Sequence, residues 1–575
     1  MASRMIQNFF RTLTRQGIAE TARRTWLHFG RKRAEQQFVR NMRLSDAEKE
    51  AQRKASFAVK PLISIIVPLY NTPPELLRET LQSVLDQTYG NWELCLADGS
   101  DGEHAEVGEI CRKLAEREPR IRYEKLEKNE GISGNSNAAL AMASGEYLAL
   151  FDHDDLLTEN ALYEVAKAIN GQKADFIYSD ELIFVSPNRE KLVGIRFKPD
   201  YSPDFLLTNN YICHLTCFSR KLLQKAGPFR SDFDGSQDHD LILRLTGCAE
   251  RVVHIPKVLY LWRSIPASVA SDIYAKEYAI DAGRRAVKTF LREHRGMEAE
   301  VVSTEIFPTM YRVKYPIEGS PSVRLVVDAA SERDPGNVPE RMKTLLEKTQ
   351  TASTERIGVT LIQTKAASLA ERLNGAARET KEDYLLFVSG IPEAVTPDWI
   401  HEMLMLAQQE HVGAVGVRVH FQRGNVRHAG VVLGLGKGRI AGRPYRGRED
   451  ETAGYFGQLA VVQNVSAVAD CLMVSREKFE SVEGFSEEYS GSLTVTDFCL
   501  RLREKGYYNV VTPFALLKGG KASEIPMEIG KNGPGYEQDA ARFREKWSAQ
   551  LKRGDPFYNA NLSLDHEDWR IRTQR

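Results

Sequence analysis

The stretch YLALFDHDDLL, residues 147–157, passes from an apolar run into three close carboxylates, Asp152, Asp154 and Asp155. Such a run is typical of a buried strand that delivers charge to the edge of a sheet, because a protein core does not accept unpaired acids. One of these acids, or Thr158, can cap the helix that follows. Asp152 and Asp154 also offer two oxygen ligands on one side of an extended segment, which suits Mg²⁺ or Mn²⁺. Both interpretations remain open from this stretch alone.

The preceding segments alternate between predicted strands and predicted helices. LISIIV (62–67) and WELCLAD (92–98) have the composition of buried strands, and PELLRETLQSVLDQT places its leucines on one helical face. Strands that alternate with helices predict an α/β fold with a mostly parallel sheet. Ligands of such sheets bind at the carboxyl ends of the strands. That edge carries Asn71, Asp98, Asp152 and Asp154.

The glycine-rich segments do not predict a dinucleotide or phosphate-loop site. A dinucleotide fingerprint follows the first strand, but here VPLYN (67–71) stands in that place. GISGNS (131–136) lacks the spacing and the position of that fingerprint, and GLGKG (434–438) is not followed by the required Lys-Ser or Lys-Thr pair. The same absence of a basic glycine loop disfavours a sugar nucleotidyltransferase.

Two further segments carry candidate functional groups. GSQDHDLILRL (235–245) places Asp238 at the start of a helix, whose dipole favours an ionised carboxylate. Asp238 is therefore either a helix-end acid of structural use or a general base. LYLWRS (259–264) contains Trp262 and Arg263; the arginine can hold a diphosphate or cover the tryptophan. The small residues of SIPASVA (264–270) suit a closing loop.

Composition narrows the class of protein. The 575 residues predict two to four domains, and Lys plus Arg equals Asp plus Glu at 78 each, so a strongly basic nucleic-acid binder is not indicated. Seven cysteines without zinc spacing predict a reduced, cytoplasmic chain. We find neither a signal peptide nor an apolar run of membrane-spanning length. We therefore expect a cytoplasmic protein.

The N-terminal segment, residues 1–58, is basic and amphipathic. Residues 1–40 contain nine Lys or Arg against two Glu, with aromatic and aliphatic residues between them. This pattern predicts either attachment to an anionic membrane surface or a helix packed on the main body.

The ordered set VPLYN, ADGSD, GISGNSNAAL, FDHDD, GSQDHDL and LYLWR resembles the family 2 glycosyltransferases of the GT-A fold. It is most similar to bacterial transferases that build O-antigen, rhamnan and related surface polysaccharides, and the resemblance covers roughly residues 60–290. It implies a nucleotide-sugar donor, a divalent cation (Mg²⁺ or Mn²⁺) and a single inverting displacement. Relatives often have a histidine at the position of Leu261, and this chain departs from that pattern.

The resemblance also assigns expected roles to residues. Asp238 is expected to be the catalytic base, and Asp152 and Asp154 are expected to hold the metal. The donor is expected to contact Pro68, Tyr70, Asn71, Asp98, Asn137, Asp152, Trp262 and Arg263.

The second half of the chain repeats the first. EDYLLFVSGIPEAVTPDWI (382–400) aligns with GEYLALFDHDDLLTENALY, and SVRLVVDAA (322–330) aligns with LISIIVPLY. HAGVVLG (428–434) and NVSAV (464–468) resemble marks of the second domain of such tandem proteins. We therefore predict two tandem GT-A domains, at 59–315 and 316–575, behind the N-terminal segment.

The second predicted domain has lost the candidate site residues. Ser389, Ile391 and Val495 stand where Asp152, Asp154 and Asp238 stand in the first. A shorter connection also predicts that its second strand, with the counterpart of Asp98, is missing. We expect this domain to be catalytically inactive.

The sequence thus predicts an inverting, metal-dependent glycosyltransferase that extends a lipid-linked cell-surface polysaccharide. We expect it to lie at the inner face of the cytoplasmic membrane, with partner proteins of an assembly complex and no nucleic acid. The alternative is a non-catalytic glycan-binding or scaffold component of such a complex. The intact acids at positions 98, 152, 154 and 238 favour the enzyme.

Overall fold

The structure is a computed structural model. It describes residues 30–573 apart from 265–276, 331, 333, 350–355, 365–366, 437–438, 450–452, 492 and 520–534. Residues 1–29 of the N-terminal segment and most of SIPASVA (264–270) lie outside the described residues. Two helices, α1 (residues 30–41) and α2 (Asp46–Lys54), precede the first sheet.

The first domain contains one mixed sheet with helices on both faces. In the described residues the strand order is β3-β2-β1-β4-β8-β6-β9-β5, with β7 paired to β6. The elements are β1 (Ile63–Leu69), α3 (Pro74–Leu85), β2 (Trp92–Asp98), α4 (Ala105–Ala115), β3 (Ile121–Lys125), α5 (Gly131–Met142), β4 (Tyr147–Leu150), β5 (Leu156–Leu157), α6 (Ala161–Gln172), β6 (Phe176–Val185), β7 (Asn188–Arg196), α7 (Pro203–Thr208), β8 (Thr216–Ser219), α8 (Arg220–Ala226), α9 (Gln237–Cys248), β9 (Val252–Ser264), α10 (Glu277–Arg295), β10 (Glu300–Ser303) and β11 (Tyr311–Lys314).

Strand β1 shows why this sheet is buried on both faces. Ile63 and Ile65 belong to one hydrophobic cluster, with leucines of α3, while Ile66 belongs to another, with Ala139 of α5. A strand that is covered on both faces needs a continuous apolar run, which ISIIV provides. β1 pairs in parallel with both β2 and β4, so the carboxyl ends of these three strands meet at one edge. The predicted α/β fold and mostly parallel sheet are confirmed.

The second domain contains a similar sheet, which also has nine strands in the described residues. In the described residues its order is β13-β12-β14-β21-β16-β22-β15, with β17 on β16 and β20 on β22. The elements are β12 (Ser322–Asp328), α11 (Val338–Lys348), β13 (Arg356–Ile362), α12 (Leu369–Arg378), β14 (Tyr384–Ser389), β15 (Glu393–Ala394), α13 (Trp399–Ala407), β16 (Val412–His420), β17 (Val426–His428), β18 (Val432–Leu433), β19 (Ala441–Gly442), β20 (Gln463–Val465), β21 (Cys471–Ser475), α14 (Arg476–Ser481), α15 (Leu493–Glu504), β22 (Tyr508–Lys518), α16 (Tyr536–Lys546) and α17 (Ser548–Arg553).

The strand register confirms the repeat. Ile63 pairs with Tyr147 in the first sheet, and Val323 pairs with Tyr384 in the second. One side-chain clamp is also shared: Asn137 exchanges two hydrogen bonds with the backbone of Phe229, and Asn374 does the same with Phe485.

One expectation about the second domain is wrong. Its second strand is present as β13, which pairs in parallel with β12 as β2 pairs with β1. The shortening falls after that strand: α4 and β3 lie within residues 99–130, whereas residues 363–368 alone join β13 to α12. Ile362 pairs with Asp328, so the next residue, Gln363, takes the place of Asp98. The carboxylate is lost although the strand remains.

The two domains share an extensive interface. Asp204 of α7 accepts a hydrogen bond from Asn464 (2.7 Å) and forms an ion pair with His411 (3.0 Å). The chain after α17 returns to the first domain, where Asn559 contacts Asp180. The hydrophobic cluster that contains Ile66 continues into the second domain.

Helix α1 packs on this body, as one of the two N-terminal interpretations predicts. The ring of Phe38 lies edge-on to that of Phe197, with 5.0 Å between the centroids. Val39 and Met42 pack against the hydrophobic cluster that contains Phe197. None of the described helices is both long and apolar enough to cross a membrane.

Candidate active site

The ends of β1 and β2 form an open, polar edge. Asp98 is buried, accepts hydrogen bonds from Tyr123 Oη (2.8 Å) and the Ser100 amide (2.8 Å), and lies 3.8 Å from Lys125 Nζ. Asn71 has a left-handed backbone (φ 49°), and its side chain donates to Asp101 (2.8 Å). Pro68 and Tyr70 lie on the same edge, with Tyr70 46% exposed. The structure thus brings Pro68, Tyr70, Asn71 and Asp98 together.

Asn137 has a different environment. Its amide donates to the Phe229 carbonyl (3.0 Å), and its side-chain oxygen accepts from the Phe229 amide (3.0 Å). The Asn374 clamp has the same geometry, in a domain whose counterpart of Asp98 is lost. These contacts join α5 to the segment before α9, and they occupy both ends of the amide that was expected to face the nucleotide.

The three carboxylates after β4 have separate roles. Asp155 is buried; one of its oxygens accepts from Tyr260 Oη (2.7 Å) and the other from the Arg263 amide (2.6 Å). The Asp152 side chain is 46% exposed, and Asp154 is half-buried. Burial and the neighbouring Asp152 raise the pKa of Asp154 above its ordinary value. Asp155 therefore anchors the loop, and Asp152 and Asp154 are the acids that remain available to a cation.

Arg263 braces this loop from behind. Its guanidinium donates to the Asp154 carbonyl (2.6 Å) and pairs with Glu79 (2.8 Å), and the residue is 2% exposed. Arg196 lies over the Trp262 ring, 4.9 Å from its centroid. Arg263 therefore neither covers the tryptophan nor presents an exposed guanidinium to a diphosphate.

A histidine that sequence reasoning missed stands beside the loop. His214 Nε2 lies 3.3 Å from Asp152 Oδ2, and Nδ1 lies 3.4 Å from Glu181 Oε2. The imidazole stacks on Tyr260 at 4.5 Å. Antiparallel pairing of β8 with β4 brings His214 to this place, and no local spacing in the sequence signals such a pairing.

Asp238 lies in the first turn of α9 and is half-buried. Its Oδ2 accepts from Asn210 Nδ2 (2.8 Å) and from Cys213 Sγ (3.4 Å), and it makes no capping hydrogen bond. The structural acid of this helix is Asp240, which is buried and pairs with Arg230 and with Arg244 (2.7 Å). The helix-end interpretation thus fits Asp240 and leaves Asp238 available as a base.

The turn at residues 210–214 connects the two halves of the site. Cys213 Sγ lies 3.4 Å from Asp238 and 3.5 Å from His214 Nε2, and His214 reaches Asp152. The turn therefore links the carboxylate of Asp238 to the carboxylate of Asp152. One carboxylate can act as a general base, and a group of carboxylates can hold a divalent cation that stabilises a leaving group.

The corresponding region of the second domain is closed by its own side chains. Ser389 and Ile391 replace the two acids, and Ile391 is held by the Glu332–Arg341 ion pair: its amide donates to Glu332 (3.0 Å) and its carbonyl accepts from Arg341. Asp328, which takes the position of Pro68 in the second domain, is buried and pairs with Arg372 (2.6 Å).

The residue at the position of His214 is also changed in the second domain. The shared register, Tyr147 with Ser219 and Tyr384 with Ser475, places Asp470 there. Asp470 is neutralised by Arg443 (2.8 Å) and Arg427 (3.1 Å). No counterpart of the half-exposed acid and histidine therefore remains at this place.

Comparisons with known proteins find similarity to several parts of this chain. The family model "Glycosyl transferase family 2" matches residues 64–227. The chain is 37% identical over 549 residues to "Uncharacterized protein y4gI" of Sinorhizobium fredii, covering 90% of this chain and 59% of that protein. It is 32% identical over 545 residues to "O-antigen biosynthesis protein RfbC" of Myxococcus xanthus, covering 90% and 42%.

The chain therefore spans less than two thirds of the length of these two relatives. The crystal structure of Staphylococcus aureus TarS 1–349 in complex with UDP-GlcNAc aligns with 40% of this chain and 67% of its own, at 20% identity and a TM-score of 0.34. The family match contains β1, β2, β4 and the Asp152 loop, and this part of the chain is similar to glycosyl transferase family 2.

Proposed function

We propose that the chain is an inverting, metal-dependent glycosyltransferase that moves a sugar from a nucleotide-sugar donor to a growing cell-surface polysaccharide. The observation that carries the proposal is the turn at residues 210–214, which contacts both Asp238 and, through His214, Asp152. Two carboxylates with different surroundings support the proposal of two tasks, one at the acceptor and one at the leaving group.

The donor nucleotide binds at the edge formed by β1 and β2. Asp98 is buried, and its hydrogen bonds to Tyr123 and Ser100 fix its orientation. Tyr70 offers an exposed ring for a base, and Asn71 and Asp98 offer polar groups for a base and a ribose. The centroid of the Trp262 ring lies 5.4 Å from that of His214, and we assign to this ring the boundary of the space for the donor sugar.

The acids at the end of β4 fit a divalent cation. Asp152 and Asp154 are hard oxygen donors at least partly open to solvent, and Asp155 and Arg263 hold their loop in place. A bound Mg²⁺ or Mn²⁺ supplies charge neutralisation for the departing diphosphate.

Asp238 removes the proton from the acceptor hydroxyl as that oxygen attacks the anomeric carbon. Asn210 and Cys213 donate to its Oδ2, which orients the carboxylate and leaves Oδ1 for the acceptor. Attack from the side opposite to the leaving diphosphate inverts the anomeric configuration.

The second domain, for which we propose residues 316–575, has no part in the chemistry. Ion pairs occupy the places where the first domain has its nucleotide edge and its acidic loop. We assign it to bracing the catalytic domain (59–315) and to binding acceptor glycan or partner proteins.

The name of the Myxococcus xanthus relative leads us to propose an O-antigen-type, lipid-linked acceptor and work at the inner face of the cytoplasmic membrane. The alternative remains a non-catalytic glycan-binding or scaffold component. The available Asp238 disfavours it, because a scaffold has no use for an oriented carboxylate whose second oxygen is left for a substrate.

A screen of the purified chain against a panel of nucleotide sugars tests the proposal, with Mn²⁺, Mg²⁺ or EDTA. Donor hydrolysis or donor-dependent protection against thermal unfolding is the readout. We expect metal-dependent signals for at least one donor, and their loss in Asp152→Ala and Asp154→Ala. Unchanged metal-dependent donor affinity in both variants would contradict the metal assignment, and absence of any donor binding would favour the scaffold.

A further inference from the structure

We propose that His214 is the third protein ligand of the cation, through Nε2, beside Asp152 and Asp154. The inference rests on the proposed metal-dependent function and adds a residue from a different strand to it.

The distance between the two candidate ligand atoms fits a shared ion. His214 Nε2 and Asp152 Oδ2 are 3.3 Å apart. Two neighbouring ligands of an octahedral ion, each at about 2.1 Å, lie roughly 3 Å from each other. Of the two candidate ions, Mn²⁺ is the first-row transition ion, a group that binds nitrogen as well as oxygen ligands, and carboxylate oxygen suits it.

The other side of the imidazole is prepared for this role. Metal-bound histidines commonly direct their second ring nitrogen to a carboxylate, which fixes the tautomer and the ring orientation. His214 Nδ1 is buried, has no hydrogen-bond partner in the described residues, and lies 3.4 Å from Glu181 Oε2. Glu181 is itself buried and is held by Lys198 (3.0 Å) and Arg196 (2.8 Å).

The other polar groups of the loop make contacts of their own, although one oxygen of Asp155 also lies within 4.8 Å of the candidate ligand atoms of Asp152 and His214. Both oxygens of Asp155 accept hydrogen bonds from Tyr260 and Arg263. His153 Nδ1 bonds to Thr72 Oγ1 at 2.9 Å. Leu261 pairs with buried Leu156 across β9 and β5 and supplies no ligand. His214 is thus the nitrogen donor best placed beside Asp152 in the described residues.

The test uses Mn²⁺ with the full chain, alone and with saturating UDP, GDP or dTDP. Electron paramagnetic resonance measures the Mn²⁺ affinity, and electron spin echo modulation reports whether a nitrogen is bound to the ion. Trp262, 5.4 Å from His214, adds fluorescence quenching by Mn²⁺ as a second readout. The variants are His214→Gln, His153→Gln, Asp152→Asn and, as a control in the exposed tail, His566→Gln. Thermal unfolding in EDTA checks that each variant is folded.

We expect nitrogen modulation in the wild type and its loss in His214→Gln, with a Kd for Mn²⁺ raised about tenfold or more. His153→Gln and His566→Gln keep the modulation. If Asp152→Asn weakens Mn²⁺ binding while the wild type shows no nitrogen modulation, or if the modulation survives in a folded His214→Gln, the inference fails and the proposed metal site stands. Absence of Mn²⁺ binding under every condition overturns both.

Discussion

Asn559 Nδ2 lies 3.0 Å from each carboxylate oxygen of Asp180, although the two residues are 379 positions apart. Asp180 is fully buried, and it also accepts from the Lys198 amide (2.8 Å) and pairs with His254 (2.8 Å). The next residue, Glu181, approaches His214 beside the acidic loop. The C-terminal tail thus contacts Asp180, and the adjacent residue of β6, Glu181, contacts the candidate active site.

Asn559→Ala should destabilise the whole chain, because a buried carboxylate loses donors that water does not replace. We expect a loss of about 1–3 kcal/mol in the free energy of unfolding, measured with urea. The exposed Asn91, which donates to the Lys60 carbonyl, provides the control: Asn91→Ala should change it by less than about 0.5 kcal/mol. Equal effects of the two substitutions would contradict the bracing role of the tail.

The His254–Asp180 pair should make stability depend on pH. Burial opposes the charged imidazole, but the Asp180 and Asp200 carboxylates outweigh it and raise the pKa of His254 to about 9. Because the folded value exceeds the unfolded value of about 6.5, the pair contributes fully below about pH 6.5 and loses its contribution as pH rises to about 9. Urea unfolding from pH 6 to 9.5 should show this decline, and His254→Gln should flatten it. An equally steep decline in that variant would assign the effect to other groups.

Asp238→Asn should separate catalysis from donor binding. The amide keeps the shape of the side chain but cannot accept the proton, so turnover should fall by roughly 10² or more. Calorimetry should show nearly unchanged donor affinity. A parallel collapse of donor affinity would instead identify Asp238 as structural.

The second domain should be silent in transfer. Full-length protein with Asp152→Ala and Asp238→Asn together should show no sugar transfer above background with any donor that the wild type accepts. Ser389→Ala is the reciprocal variant: its buried hydroxyl has no hydrogen-bond partner in the described residues, so activity should stay within about twofold. Residual transfer by the double variant, or a large loss in Ser389→Ala, would reveal a working second site.

Membrane attachment can be tested without disturbing α1. Because residues 30–41 form a packed helix, the deletion should stop at residue 29. The hypothesis of an anionic membrane surface predicts that full-length protein sediments with phosphatidylglycerol vesicles and that the truncated protein does not, while transfer to a soluble acceptor analogue persists. Equal vesicle binding by both proteins would remove residues 1–29 from the mechanism.

The sequence by itself determined the elements whose signals are local. Apolar runs that end at Asp98 and Asp152, and the helical periodicity between them, predicted the parallel strands and the edge where their side chains gather. The internal repeat predicted the second sheet and the loss of its acids at Ser389 and Ile391. These features follow from residue order because strand and helix periods, and the parallel pairing of successive strands, depend on neighbouring positions.

Tertiary structure alone decided the contacts between distant segments. Antiparallel pairing of β8 with β4 brought His214 to Asp152, and the chain reversal after α17 brought Asn559 to Asp180. Tertiary packing also gave similar residues different environments: Asp155 and Arg263 are buried, whereas the Asp152 side chain is half-exposed. Sequence spacing could not give these results, because burial and cross-strand pairing are set by the packing of the whole chain.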